Sequence, residues 1–251
     1  MERLSDSVEA GVLTVPLFPL PNVVLFPRAV LPLHIFEERY KTMTSDVLAG
    51  ERLVAIALLK PGWEKEYHQR PAIESVVCVG QILNSERLAD GKYNFLLQGR
   101  IRGKIIAEEN SRPYRVARIE PIVESSVMEI DLTNDRQRLM EMLCSGKMAS
   151  TAAGKELQKI LASGLPTHEV ADLIAFHVLN NIRLKQSLLA EPDVARRVCR
   201  LVSALDASLP ILEVAATGSS KSGTNASRFM ALSRWPAGGR ASPPRDPGRR
   251  R

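Results

Sequence analysis

The sequence predicts an α+β protein: a small closed or half-closed β barrel with one inserted helix, followed by a helical subdomain. Short apolar runs, broken by proline and glycine and often alternating with polar residues, crowd the first half of the chain. Within them, the stretch from Glu37 to Gly50 changes to helical spacing. After about Ser125 apolar residues recur at three and four for the rest of the regular sequence.

Residues 1–12 read as a short leader. The run Thr14 to Pro27 is apolar but carries Pro16, Pro19, Pro21 and Pro27. Proline donates no ladder hydrogen bond, so short strands at edges or bulges are expected there. Leu31 to Ile35 continues as strand, and Phe36, Tyr40, Met43 and Val47 then form one helical face, with Gly50 as its stop. Leu53 to Leu59 is wholly apolar, the mark of a strand buried on both faces. Val76 to Arg87 and Lys92 to Gln98 flank Asp90-Gly91, a dipeptide suited to a tight hairpin. Arg100 to Ala107 and Tyr114 to Ile119 supply two further strands, enough in all to close a small barrel.

In the helical half, Leu139, Met140 and Leu143 make one stripe. Val170, Leu173, Ile174, His177 and Val178 make another behind Thr167, a natural N-cap. A last helix after Pro192 turns Val194, Val198, Leu201, Val202 and Leu205 inward and Arg196, Arg197 and Arg200 outward.

Charge is unevenly placed. From Gly218 to Arg251 there are seven Arg and one Lys against Asp246, a net of +7. The remaining 26 basic and 27 acidic residues leave the body at −1. The tail's Gly, Ser, Pro and Arg content predicts disorder. No apolar run reaches the roughly 18 residues that span a bilayer, and the first residues lack a signal-peptide layout, so a cytoplasmic protein is expected. Cys78, Cys144 and Cys199 are dispersed and fit reduced thiols.

Catalytic chemistry finds little support. Each Gly-Lys pair is followed by Tyr, Ile, Met or Glu where a phosphate loop needs Ser or Thr. His34, His68, His168 and His177 are scattered, and no ligand spacing for a metal or cofactor emerges. Ser220-Lys221-Ser222 lies in the tail, where nothing holds the geometry a Ser-Lys pair needs.

Val15 to Pro27, with Leu31-Pro32-Leu33-His34-Ile35-Phe36-Glu37-Glu38-Arg39-Tyr40, resembles the opening of the Lon protease N-terminal domain family. Ala57 to Glu64, Val79-Gly80-Gln81-Ile82, Glu86 to Asn94, Gln98 to Gly103 and Tyr114 to Ala117 are similar to the stand-alone bacterial branch of that family. Gln186, Leu188-Leu189, Asp193, Arg197, Leu201 and Leu205 continue the likeness, which covers roughly residues 13 to 210. Arg28 departs from it, since the family often has a small residue after that Phe-Pro.

The resemblance implies a PUA-like pseudo-barrel over residues 13–125, a helical subdomain of the same unit over 126–212 and a basic tail over 213–251. In full-length Lon this domain precedes an ATPase motor and a Ser-Lys protease domain. The resemblance therefore implies a non-catalytic module, without ATPase or protease dyad, that recognises exposed segments of unfolded or client proteins. A protease or chaperone component is the implied further partner.

Such recognition calls for exposed apolar groups on a rigid frame. Lys60 to Pro71 sets Pro61, Trp63 and Tyr67 among charged residues, as contact anchors. Trp63 can equally fold back as a lid on the barrel. Pro19, Leu20 and Pro21 can accept an added peptide strand, or shape the turn and blunt the edge. An alternative is RNA binding, since PUA-like barrels occur in RNA-binding proteins and the basic tail can neutralise phosphates.

Overall fold

The structure is a computed structural model that describes residues 11–66, 69–109, 111–144 and 152–215. All of them fall in the first of the chain's two units, Met1–Ser219. The expectations for the leader's first ten residues and for the basic tail lie outside the described residues.

Six strands form the barrel: β1 Leu13–Leu20, β2 Val30–Ile35, β3 Leu53–Leu58, β4 Val76–Arg87, β5 Tyr93–Glu109 and β6 Arg115–Pro121. Their order is β2-β5-β4-β3-β1-β6, and a further β5–β6 pairing closes five of them into a ring. Closure depends on β5, whose 17 residues pair with β2 through Tyr93–Gln98 and with β6 from Gly103 onward. The sequence divides this strand into two; the ladder to β4 instead runs along both halves with bulges at Val79/Gly80 and Ile82/Asn84.

Strand β1 is interior, not an edge, despite its prolines. It changes partner at Leu17: Leu13–Leu17 pair with β6 and Leu17–Leu20 with β3. Pro16 and Pro19 therefore each sit where one flank of the strand carries no ladder, which is how proline is accommodated there.

Strand β3 explains its own apolar run. Leu53, Ala55 and Ala57 join Val15, Leu17, Val77, Val79, Ala117 and Ile119 in one cluster filling the ring. Val54, Ile56 and Leu58 face the opposite way, into a larger cluster shared with the helices. Helix α1, Glu38–Ala49, buries Tyr40, Met43 and Val47 there, as its spacing predicts. Phe36 does not join them: it precedes the helix and is 61% exposed.

Gly99 marks the tightest approach in the barrel. The Phe26–Ala29 turn rests on it, with Arg28 N donating to Gly99 O and Gly99 N to Ala29 O, both at 2.8 Å. A Cβ at position 99 would lie 2.0 Å from the Phe26 carbonyl oxygen. Arg28 takes a φ of 63°, a left-handed conformation for which a smaller residue is the usual occupant. Its guanidinium is anchored by Glu169, with Nε 2.5 Å from Oε2.

The helical part comprises α2 Thr133–Cys144, α3 Ala152–Leu161, α4 Thr167–Val178, α5 Ile182–Leu189 and α6 Val194–Ala215. Leu139 and Leu143 are buried as expected, but Met142 completes their stripe and Met140 faces outward. Pro166 holds the cap position of α4, and Thr167 follows it. Thr167 N donates to Glu129 at 3.0 Å and its hydroxyl donates to the same carboxylate, so Glu129 caps the helix from a distance. Arg197, expected on the outer face of α6, is 1% exposed. It turns inward because Asp172 and Glu124 wait there, 3.4 and 3.1 Å away.

Candidate functional site

Where α5 passes the end of the barrel, a groove of about 620 Å³ opens between them. Its barrel side is built by Pro21 just after β1, Leu58 and Leu59 at the end of β3, and Glu74, Ser75 and Val76 leading into β4. Its far wall is α5, which presents Ile182, Arg183, Gln186 and Ser187, with Ala190 capping its end. Pro61 and Trp63 close one side.

The loop that carries Trp63 is clasped at its base. Lys60 N donates to Ala72 O and Glu74 N to Leu58 O, both at 2.8 Å, around a bridge between Leu59 and Ile73. Gly62 then turns with a φ of 89°, which favours glycine, and Trp63–Glu66 follow as one 3₁₀ turn. Trp63 comes out half-buried along the groove wall, neither sealed into the barrel nor free of it. Pro61 is exposed.

The opposite wall is fixed just as firmly. Gln186 Nε2 donates to the Val76 carbonyl at 2.8 Å, tying α5 to the first residue of β4. Arg200 Nη2 donates to Ser187 Oγ at 2.7 Å, tying α5 to α6. Asn181 Oδ1 accepts from Leu184 N and starts the helix. A cleft between two held walls keeps its width without a ligand, which lowers the ordering cost of binding.

Of the residues singled out from the sequence, Pro21, Pro61 and Trp63 meet in this groove. Pro19 and Leu20 do not. Pro19 is buried and lines a neighbouring cavity, while Leu20 packs against the core and its carbonyl accepts from Leu59 N at 3.0 Å. The β3-facing flank of β1 at these residues is therefore already occupied by a ladder. Tyr67 lies outside the described residues. The α5 wall was not singled out as a site. Its one sequence signal was Gln186, an amide set among leucines in a short helix.

Burial pushes the Cys78 thiol up to about 12, out of reach of the thiolate form. Burial, with Lys185 nearby, lowers His177 to about 4. Among the described residues no group of acidic, His and Cys side chains is placed to hold a metal ion. No described helix is long and apolar enough to cross a membrane.

The profile of the ATP-dependent protease La (LON) substrate-binding domain matches residues 14–207. A Lon protease of Dictyoglomus thermophilum is 28% identical over 203 residues, covering 80% of this chain and 25% of that protein. A Lon protease of Geobacter metallireducens is 28% identical over 208 residues, covering 79% and 24%. The chain thus spans about a quarter of the length of the curated relatives it matches. Among solved structures, the N-terminal domain of a Mycobacterium avium complex Lon protease superposes with a TM-score of 0.59 at 17% identity, over 77% of this chain and 98% of that one. A Lon N-terminal domain protein from Xanthomonas campestris gives 0.55 at 21% identity, over 76% and 98%. These two likenesses bear on the fold.

Proposed function

The chain belongs to the ATP-dependent protease La (LON) substrate-binding domain family, and we propose that it holds exposed apolar segments of unfolded or client proteins in the groove between the Trp63 turn and α5. Pro21, Pro61 and Trp63 act as anchors. The observation that carries this function is their convergence: three residues from two distant segments line one cleft with fixed walls. Aromatic and proline surfaces bind many sequences through area and shape rather than through one hydrogen-bond pattern, which suits a client that arrives unfolded.

The action is binding without bond cleavage. The relatives' matching portion is their substrate-binding part, and the groove offers contact surface rather than an activated nucleophile. Clients held here pass on to a protease or chaperone component. Affinity in the micromolar range, on the order of −8 kcal/mol, suits a module that must release what it holds.

The test is a fluorescence-anisotropy titration of a labelled protein kept unfolded by reduction and carbamidomethylation, using the full chain. Saturable binding, weakened about tenfold by Trp63→Ala and restored by Trp63→Phe, is expected if the tryptophan is an aromatic anchor. No binding at any concentration, or binding indifferent to position 63, would contradict it.

A further inference from the structure

Across the loop from the groove lies a second cavity of about 360 Å³, lined by Arg39, Arg70, Arg112 and Arg115 and, among the described residues, by no carboxylate. Three of the arginines have acidic partners set behind the lining. Arg39 Nη2 is 3.0 Å from Glu37, Arg112 Nη1 is 2.7 Å from Asp46, and Arg115 Nη2 is 2.7 Å from Glu108. Arg70 makes no ion pair among the described residues. Among the described residues the lining thus holds four arginine side chains, one of them, Arg70, without an ion pair.

Two of the arginines are held in place. Arg115 grips Glu108 through Nε and Nη2 and donates through Nη1 to the Pro71 carbonyl at 2.7 Å. That leaves two of its five N–H groups for a ligand in a fork already fixed in orientation. Tyr114 donates its hydroxyl to Asp46 at 2.6 Å, so the carboxylate that steadies Arg112 is itself fixed from two sides. Pro19, Leu59 and Pro71 add apolar wall, which reduces competition from water.

Groove and cavity are neighbours: Leu59 lines both, and Pro19 and Pro21, two residues apart at the end of β1, line one each. An extended chain covers about 3.3 Å per residue, so a few residues of peptide span the two. We propose that the arginine cavity is a carboxylate site, which takes an Asp or Glu side chain of a client whose apolar segment occupies the groove. The preferred client is then an apolar stretch with an acidic residue close by, rather than an apolar stretch alone. This specificity rests on the groove being the client site.

The test uses three C-terminally amidated peptides with one apolar core, flanked on both sides by Glu, by Gln or by Lys, titrated against the full chain. The Glu peptide is expected to bind roughly tenfold more tightly than the Gln peptide, with the Lys peptide weakest and the advantage shrinking as salt rises. Arg70→Gln, which orphans no described carboxylate, is expected to reduce the Glu advantage while leaving the Gln peptide's affinity unchanged. Equal binding of Glu and Gln peptides overturns the carboxylate site but leaves the groove standing. Failure of all three to bind overturns both.

Discussion

Arg102 in β5 and Asp172 in α4, 70 residues apart, meet with Nη2 2.5 Å from Oδ1. They are 4% and 2% exposed. Arg197 Nε approaches the same oxygen to 3.4 Å, and Glu124 Oε1 stands 2.6 Å from Arg102 and 3.1 Å from Arg197. Arg102 Nε also donates to the Leu189 carbonyl at the end of α5. The cluster thus ties barrel to helices and holds the groove's far wall against the near one. Removing one member strands a buried charge, so Asp172→Asn is expected to lower stability in urea unfolding by about 3 kcal/mol. Pairing Arg102→Met with Asp172→Leu should cost clearly less than the sum of the two single changes.

Gly99→Ala is expected to be among the most damaging small changes in the chain. Its new methyl meets the Phe26 carbonyl carbon and oxygen, backbone that other hydrogen bonds already fix. A loss of several kcal/mol, read as a fall in melting temperature or as insolubility, is the expected result. Gly164→Ala, where nothing lies within 4 Å, should stay within about 0.5 kcal/mol of the parent.

His177 gives stability a pH dependence of defined sign. Its folded value near 4 lies below its ordinary 6.5, so the unfolded chain takes up the proton first. Stability from this residue is full above about 6.5 and is lost as pH falls toward 4. In urea unfolding, the gap between the parent and His177→Gln is expected to shift in the variant's favour across that window. A constant gap would show that the imidazole titrates normally.

Glu129 works in the same sense at lower pH. Burial opposes its charge, but the hydrogen bonds from Thr167, with Arg136 nearby, outweigh it and hold the carboxyl below its usual 4.5. The stability it contributes is present above that value and is lost as pH falls through the lowered one. Glu129→Gln should therefore lower stability in urea unfolding at neutral pH, chiefly as a weakened start to α4, and change it little in strong acid.

Much of the barrel was legible because local rules and tertiary structure agree there. The apolar run of β3, the Asp90-Gly91 turn and the spacing of Tyr40, Met43 and Val47 each state their own environment. Features set by distant partners were not legible. Arg197 follows the charged pattern of an outer face, and only the positions of Asp172 and Glu124 turn it inward. Pro16 and Pro19 argue for an edge, and their tolerance inside the sheet depends on the partner exchange at Leu17. For the site, two aromatics in a polar loop pointed to Trp63, but the wall facing it comes from more than a hundred residues later, through the Gln186–Val76 bond, |i−j| = 110. The arginine cavity was missed for the same reason: its four cations come from three separate segments and look, one by one, like ordinary surface charge.

The most direct measurement uses the groove's own tryptophan. The chain has two tryptophans, Trp63 and Trp235, so Trp235→Phe leaves Trp63 as the sole indole reporter. Titration with a tryptophan-free unfolded protein should shift the Trp63 emission to shorter wavelength, saturating at the concentration at which anisotropy reports binding. Saturable binding with unchanged Trp63 emission would place the client elsewhere and contradict the assignment of the groove.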